Sequence, residues 1–133
     1  HLTHEEYALM MVQAAVDCPA PEVPTGSGFC MYIRRAMMDA CGTFDEDGFP
    51  RGYGEENDFC MRAMKAGWVN LISPWAFVFH IRTASFKGEK DKLVKEGVDV
   101  VMKRYPDYTR LVKAAFSGPD MMALREATAR AVI

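Results

Sequence analysis

The stretch that decides the fold is Gly52-Tyr53-Gly54-Glu55-Glu56-Asn57-Asp58-Phe59-Cys60. Two glycines flank an aromatic residue, and three carboxylates follow within four positions. Residues 59–66 then form an apolar run with helical spacing, which Gly67 ends. This order predicts a glycine-containing turn that places acidic side chains at the N-terminus of a helix.

The acidic side chains of this turn have two interpretations. Carboxylates are common in the first turn of a helix, because they interact favourably with the positive end of the helix dipole. Two glycines around Tyr53 are not needed for that purpose, and they let the backbone come close to a ligand. In the functional interpretation, one glutamate is a general base that accepts the proton of an attacking hydroxyl group.

The amino-acid composition limits the class of protein, its partners and its location. The chain has 133 residues, half of them hydrophobic, which is typical of one soluble globular domain. Sixteen basic and eighteen acidic side chains give a net charge of −2, which argues against a nucleic-acid partner. The sequence contains no apolar run of membrane-spanning length and no signal-like N-terminus, so we expect a cytoplasmic location without a transmembrane segment.

The four cysteines, at positions 18, 30, 41 and 60, are widely spaced and lack the close pairs typical of a zinc site. A disulfide framework is compatible with their number, but nothing else indicates secretion. We expect reduced, mostly buried thiols that pack as small hydrophobic side chains.

Patterns around the acidic turn predict an α/β fold with few strands, flanking helices and a helical C-terminal tail. Short apolar runs at residues 28–33, 68–72 and 76–80 are typical of buried strands. Thr3 and Glu6 form a capping box that begins a first helix, and Gly42 ends a short helix predicted over residues 34–41. We assign residues 1–87 to the strand-containing part and residues 88–133 to the tail. So few strands would leave an exposed sheet edge, through which self-association is expected.

Three further positions are candidates for chemistry. His80 ends an apolar run, where it is either an ordinary satisfied histidine or a metal ligand at the end of a strand. Gly26 belongs to a Thr-Gly-Ser-Gly loop that lacks the lysine and spacing of a P-loop, yet it suits close approach of backbone to a ligand. Arg82 is either a solvated surface charge or the cation that neutralises a leaving diphosphate.

Five sequence blocks, spread over residues 24–86, resemble the C-terminal half of an inverting glycosyltransferase of the family 2 type, with the GT-A fold. They are Thr25-Gly26 before Arg34-Arg35, Cys41-Gly42-Thr43-Phe44-Asp45-Glu46, Gly52 to Arg62, Lys65-Ala66-Gly67-Trp68, and Val78-Phe79-His80. The third block is also similar to the Gly-Trp-Gly-Gly-Glu-Asp segment of galactosyltransferases, with Tyr53 in place of the tryptophan.

This resemblance implies that Glu56 is the catalytic base, where the family usually has aspartate. It implies that Tyr53 stacks on a sugar, that Glu55 contacts the acceptor or donor sugar, and that His80 joins an Asp-x-Asp pair at Mn²⁺ or Mg²⁺. Gly54, Asp58, Gly26 and Arg82 complete the predicted substrate site.

The expected partners are a nucleotide-sugar donor and a glycan or other hydroxyl acceptor. The nucleotide-binding half that carries Asp-x-Asp is missing from this sequence, so the resemblance implies a fragment that is inactive alone and has an incomplete metal site. The alternative is a non-catalytic carbohydrate-binding or assembly module derived from the same fold.

Overall fold

Six α-helices joined by irregular segments make up the computed structural model, which describes residues 1–80 and 87–132, except for the side chains of residues 87 and 88. The helices are α1 (His4–Ala15), α2 (Arg35–Cys41), α3 (Glu55–Lys65), α4 (Lys87–Arg104), α5 (Tyr108–Phe116) and α6 (Pro119–Ala131).

The helix boundaries follow local signals in the sequence. The predicted capping box is present at α1, where Thr3 N donates to Glu6 Oε2 at 2.8 Å and Glu6 N donates to Thr3 Oγ1 at 3.2 Å. Gly42, with φ of 77°, ends α2 in a conformation that glycine adopts without a steric cost. Pro119 begins α6 at a position where a missing N–H is harmless.

The predicted α/β fold is wrong. In residues 1–80 and 87–132 the structure contains no sheet, and its only β pairing is an isolated antiparallel bridge between Glu22 and Leu71. The segments 28–33, 68–72 and 76–80, predicted as strands, are irregular apart from that bridge. With no sheet in these ranges, the predicted self-association through a sheet edge has no surface to use.

The reason lies in the backbone partners that a strand requires. Val23 N donates to Asn70 O at 2.9 Å, and Ile72 N donates to Pro21 O at 3.0 Å. Pro21 and Pro24 on either side of Val23 have no N–H group, so the ladder cannot extend along this segment. A short apolar run does not by itself distinguish a strand from an irregular segment held by its side chains.

The segment 76–80 illustrates such side-chain anchoring. Its Phe79 ring lies 4.6 Å from the His4 ring of α1, and its Phe77 ring lies 5.5 Å from the Tyr7 ring. Aromatic contacts with a helix therefore bury part of this apolar run, where we had predicted pairing with a strand.

Two buried clusters form the core around α3. The first contains Phe49, Met61, Val101 and Tyr105. The second contains Met37, Phe59 and Ala63. Because Val101 and Tyr105 belong to α4 and its C-terminal end, the first cluster joins the predicted tail to the acidic helix α3. At the other end of the tail, α6 packs against α1.

All four cysteines are free thiols, which agrees with the expected reduced state. Cys60 is buried and Cys18 and Cys41 are half-buried, but Cys30 is exposed, so the expectation of mostly buried thiols holds fully only for Cys60. Within the described ranges, no helix combines the length and apolarity needed to cross a membrane.

Candidate active site

The turn before α3 has an unusual backbone. Gly52, Tyr53 and Gly54 have φ angles of 77°, 62° and 118°, so three consecutive residues adopt positive φ. For a tyrosine this conformation costs about 1–3 kcal/mol, which the surrounding structure must offset. Gly54 is the N-cap of α3, so the helix begins two residues after Tyr53.

Helix α4 packs directly on this strained turn through its backbone at Gly97. A Cβ atom added to Gly97 would overlap the carbonyl oxygen of Tyr53 and lie 2.7 Å from its carbonyl carbon. A Cβ atom added to Gly54 would lie 3.1 Å from the Gly97 carbonyl oxygen. The two backbones are therefore in contact, which only glycine permits at both positions.

Asp58 is fully buried in the first turn of α3, and its carboxylate is occupied by protein donors. Oδ2 accepts from Arg62 Nε at 2.9 Å, and Oδ1 accepts from an Arg104 guanidinium nitrogen at 2.9 Å and from the Tyr105 hydroxyl at 2.8 Å. Burial acts to raise the pKa of Asp58, but the hydrogen bonds from Arg62, Arg104 and Tyr105 outweigh it and leave the pKa below its ordinary value.

The same contact affects Tyr105. Burial, followed by the hydrogen bond to the Asp58 carboxylate, raises the pKa of Tyr105 to about 12, so its hydroxyl remains a donor at neutral pH. We predicted Asp58 as a substrate-binding residue, and the structure places it in an internal network that links α3 to α4.

Glu55 and Glu56 are half-buried and point to neighbouring parts of the turn. The Gly54 amide donates weakly to Glu56 Oε2, at 3.4 Å. Glu55 Oε2 is buried without a hydrogen-bond partner among the described residues. Burial is the main cause that raises the pKa of Glu55, and the Glu56 carboxyl beside it raises the pKa further. A buried, unsatisfied carboxyl with a raised pKa is typical of functional sites.

Glu55→Gln should therefore increase the stability of the fold near pH 7. Because the pKa of Glu55 is higher in the folded state than in the unfolded state, this group stabilises the fold only below its unfolded pKa, and that contribution is lost as the pH rises through its folded pKa. A neutral amide avoids this loss. Urea unfolding at pH 7 and pH 4 should show a gain for the variant at pH 7 that shrinks at pH 4, and a loss of stability at pH 7 would contradict the prediction.

The loop at residues 25–28 lies against the acidic helix. The Thr25 hydroxyl donates to the Asn57 side-chain oxygen. A Cβ atom on Gly28 would lie 3.8 Å from Glu56 Cβ, and one on Gly26 would lie 3.9 Å from Cys60 Sγ. The structure thus brings the predicted residue Gly26 to the same side of α3 as Glu56, on a loop that can approach the carboxylate closely.

Two residues near this loop have shifted pKa values. Burial raises the pKa of the Cys60 thiol, and Glu56 adds to the increase. Burial likewise raises the pKa of Tyr108 on α5, with Cys60 and Glu56 contributing and the Thr25 hydroxyl acting in the opposite direction. Tyr108 carries no sequence signal that would have assigned it to this region, whereas Asn57 stands inside the motif itself.

His80 is exposed and stacks on Phe29, with ring centroids 4.3 Å apart and an interplanar angle of 3°. Phe29 follows Gly28, so consecutive residues of one loop contact His80 and Glu56. Among residues 1–80 and 87–132, no three His, Cys, Asp or Glu side chains come close enough together to hold a metal ion. The predicted role of His80 at Mn²⁺ or Mg²⁺, together with the Asp-x-Asp pair of a nucleotide-binding half, stays a prediction. Arg82, the remaining predicted residue, lies outside the described part of the chain.

The assembled geometry defines a candidate site for proton transfer. It has a half-buried carboxylate, Glu56, at a helix N-terminus, a second carboxyl of raised pKa beside it, and a strained aromatic turn next to both. The glycine-containing loop at residues 25–28 lies next to Glu56. Such an arrangement suits removal of a proton from a bound hydroxyl group.

Comparisons with known proteins point to glycosyl transfer at a coarse level. Over 66 residues, or 48% of its length, the chain is 39% identical to N-acetylglucosaminyl-diphospho-decaprenol L-rhamnosyltransferase of Mycobacterium tuberculosis, in strains CDC 1551 / Oshkosh and ATCC 25618 / H37Rv, and this stretch covers 21% of that protein. The chain thus has a distant, partial relationship to a glycosyltransferase.

A second relative carries no functional description. This relative is the uncharacterized protein y4gI of Sinorhizobium fredii (strain NBRC 101917 / NGR234). The chain is 30% identical to it over 81 residues, which are 57% of the chain and 9% of that protein. The chain therefore spans about a fifth or less of the length of these curated relatives. No family model and no solved structure matches the chain.

Proposed function

We propose that the protein containing this chain transfers a sugar from a nucleotide-sugar donor to a hydroxyl group of an acceptor, with inversion at the anomeric carbon. The observation that carries the proposal is the half-buried Glu56 carboxylate at the N-terminus of α3, beside Glu55 and opposite Gly28. The partial likeness to a rhamnosyltransferase supports the same class of reaction.

In the proposed reaction, Glu56 accepts the proton of the acceptor hydroxyl while its oxygen forms the new bond to the anomeric carbon. The bond from that carbon to the diphosphate breaks on the opposite face, and the nucleoside diphosphate leaves with the bonding electron pair. Positioning of the hydroxyl next to a base contributes typically 10²–10⁴-fold to such a step. Tyr53 is proposed to stack on a sugar face, since it lies in the turn that directly precedes Glu55 and Glu56.

Glu55 has a different role from Glu56 in this scheme. Its raised pKa means that it takes up a proton before an ordinary glutamate would as the pH falls. Its buried Oε2 has no hydrogen-bond partner among the described residues, which leaves this oxygen with unused hydrogen-bonding capacity. We therefore propose that Glu55 binds the acceptor or donor sugar, as the resemblance implies.

The test uses the protein expressed from its complete gene. Purified protein is incubated with a panel of nucleotide-sugars, including nucleotide-activated L-rhamnose, together with polyprenyl-diphosphate-linked and simple glycan acceptors. Mass spectrometry of the acceptor should show addition of one sugar, and the release of nucleoside diphosphate should depend on the acceptor. Sugar binding without any transfer across the panel would favour the non-catalytic module and reject the proposal.

A further inference from the structure

Helix α4 contacts the acidic turn at two separate points along its length. Near its middle, the Gly97 backbone packs on the Tyr53 carbonyl group. At the last residue of α4 and the residue that follows it, Arg104 and Tyr105 donate to the Asp58 carboxylate. The acidic turn and the first turn of α3 are thus contacted by α4 and by the residue that directly follows α4.

Arg104 joins two carboxylates that belong to different segments. One guanidinium nitrogen donates to Asp58 Oδ1 at 2.9 Å and to Asp45 Oδ2 at 2.7 Å. Asp45 in turn accepts the Gly48 amide at 2.9 Å, which shapes the loop before Phe49. Both carboxylates keep the Arg104 pKa above its ordinary value, with Asp45 the larger influence. Arg104 therefore ties α3 and the loop at residues 45–48 to α4.

The backbone of Asp58 closes the helical turn that carries Glu56. The Asp58 amide donates to the Gly54 carbonyl at 2.9 Å, closing the first helical turn around Glu55, Glu56 and Asn57. A displacement of Asp58 would therefore rotate this turn and with it the direction of the Glu56 carboxylate. Since Asp58 is fully buried, its position depends on the donors Arg62, Arg104 and Tyr105 and not on solvent.

We propose that Arg104 is a positioning residue, which holds the Glu56 carboxylate in its reactive direction through Asp58. This inference rests on the function proposed for Glu56. Arg62 lies on α3 itself, in an i, i+4 pair with Asp58, and it also donates to the carbonyl oxygens of Cys41 and Thr43. Arg104 is the charged donor that connects Asp58 to α4.

The test compares Arg104→Ala with wild type in the protein expressed from its complete gene. A misdirected base should lower kcat by about tenfold or more and change the KM for the donor much less, because small misplacements act on the reacting geometry. Millimolar methylguanidine should restore part of kcat, because Arg104 is partly exposed and its guanidinium site is reachable. Arg104→Lys should recover part of kcat without added guanidinium.

Hydrogen exchange at the amides of residues 55–59 provides a readout that needs no activity. These amides should exchange faster in Arg104→Ala than in wild type. The matched control is Arg110→Ala, which removes an exposed arginine paired with Asp107 and should leave exchange and kcat unchanged. If Arg104→Ala does not fold, Tyr105→Phe removes only the second donor to Asp58 Oδ1 and should show the same pattern in milder form.

The outcomes separate the two proposals. An absence of transfer by wild type rejects the proposed function, while faster exchange in Arg104→Ala would still support the link between α4 and the turn. If wild type is active and Arg104→Ala keeps its kcat and its exchange protection, the positioning role is overturned. A loss of kcat that neither methylguanidine nor Arg104→Lys restores also overturns it, because such a loss would be purely structural.

Discussion

Gly97→Ala should destabilise the fold by at least about 3 kcal/mol, because the new methyl group would overlap the Tyr53 carbonyl group. The obstacle is backbone on both sides, so no flexible side chain can move to make room. Either α4 must shift away from the turn or the turn must give up its strained conformation. Urea unfolding followed by circular dichroism measures the loss.

Gly67→Ala is the matched control for this prediction. Gly67 has φ of 85°, and an added Cβ would meet no atom within 4 Å. Gly67→Ala should lower the free energy of unfolding by only about 1–2 kcal/mol, because alanine is disfavoured in the left-handed backbone conformation. Equal losses in the two variants would mean that contact between α4 and the turn contributes nothing to the fold.

Glu56→Gln should reduce the rate of sugar transfer by about 10²–10⁴-fold in the protein expressed from its complete gene. The amide keeps the shape of the side chain but cannot accept the proton of the acceptor hydroxyl. Donor binding should change little, since the proposed role of Glu56 concerns the acceptor. Initial rates of acceptor-dependent nucleoside diphosphate release, and a donor titration, measure the two quantities separately.

Two further variants sharpen this experiment. Glu126→Gln removes a carboxylate from the exposed surface of α6 and should leave the rate unchanged. Glu56→Asp keeps the carboxylate on a shorter arm and should retain more activity than Glu56→Gln. Turnover of Glu56→Gln at the wild-type rate would remove Glu56 from the role of base.

The helices could be predicted because their signals are local. The capping box of Thr3 and Glu6, Gly42 after α2 and Pro119 at the start of α6 each act within one turn of their own helix. The turn before the acidic helix could also be predicted, because Gly52 and Gly54 can adopt positive φ without a steric cost. That Tyr53 shares this conformation was not predicted, because a tyrosine adopts it only when tertiary contacts compensate the cost.

The strands could not be predicted correctly, because a strand depends on partners distant in sequence. The runs 28–33 and 76–80 have the apolar content of strands, and in the structure His80 stacks on Phe29 and Phe79 packs on α1. Residues 21–23 and 70–72 do meet, but the prolines around Val23 limit their pairing to one bridge. The resemblance to a GT-A domain favoured strands that the described residues do not form.

The candidate site was predicted in part. The motif itself points to Glu55 and Glu56, and the structure places both beside the turn, while their chemical roles stay predictions. The contributions of Gly97, Arg104 and Tyr108 were missed, because they lie in the helical tail, 41 or more positions from Glu56, and no motif marks them. Contacts of this kind arise only when the chain packs.

The central claim is that Glu56 receives the proton of the acceptor hydroxyl. The most direct test is a crystal structure of the protein expressed from its complete gene, with an acceptor and the nucleoside diphosphate bound. We predict that the reacting hydroxyl oxygen lies about 2.6–3.2 Å from a Glu56 carboxylate oxygen. An acceptor hydroxyl that faces a different base, with Glu56 turned away from the bound sugar, would contradict the claim.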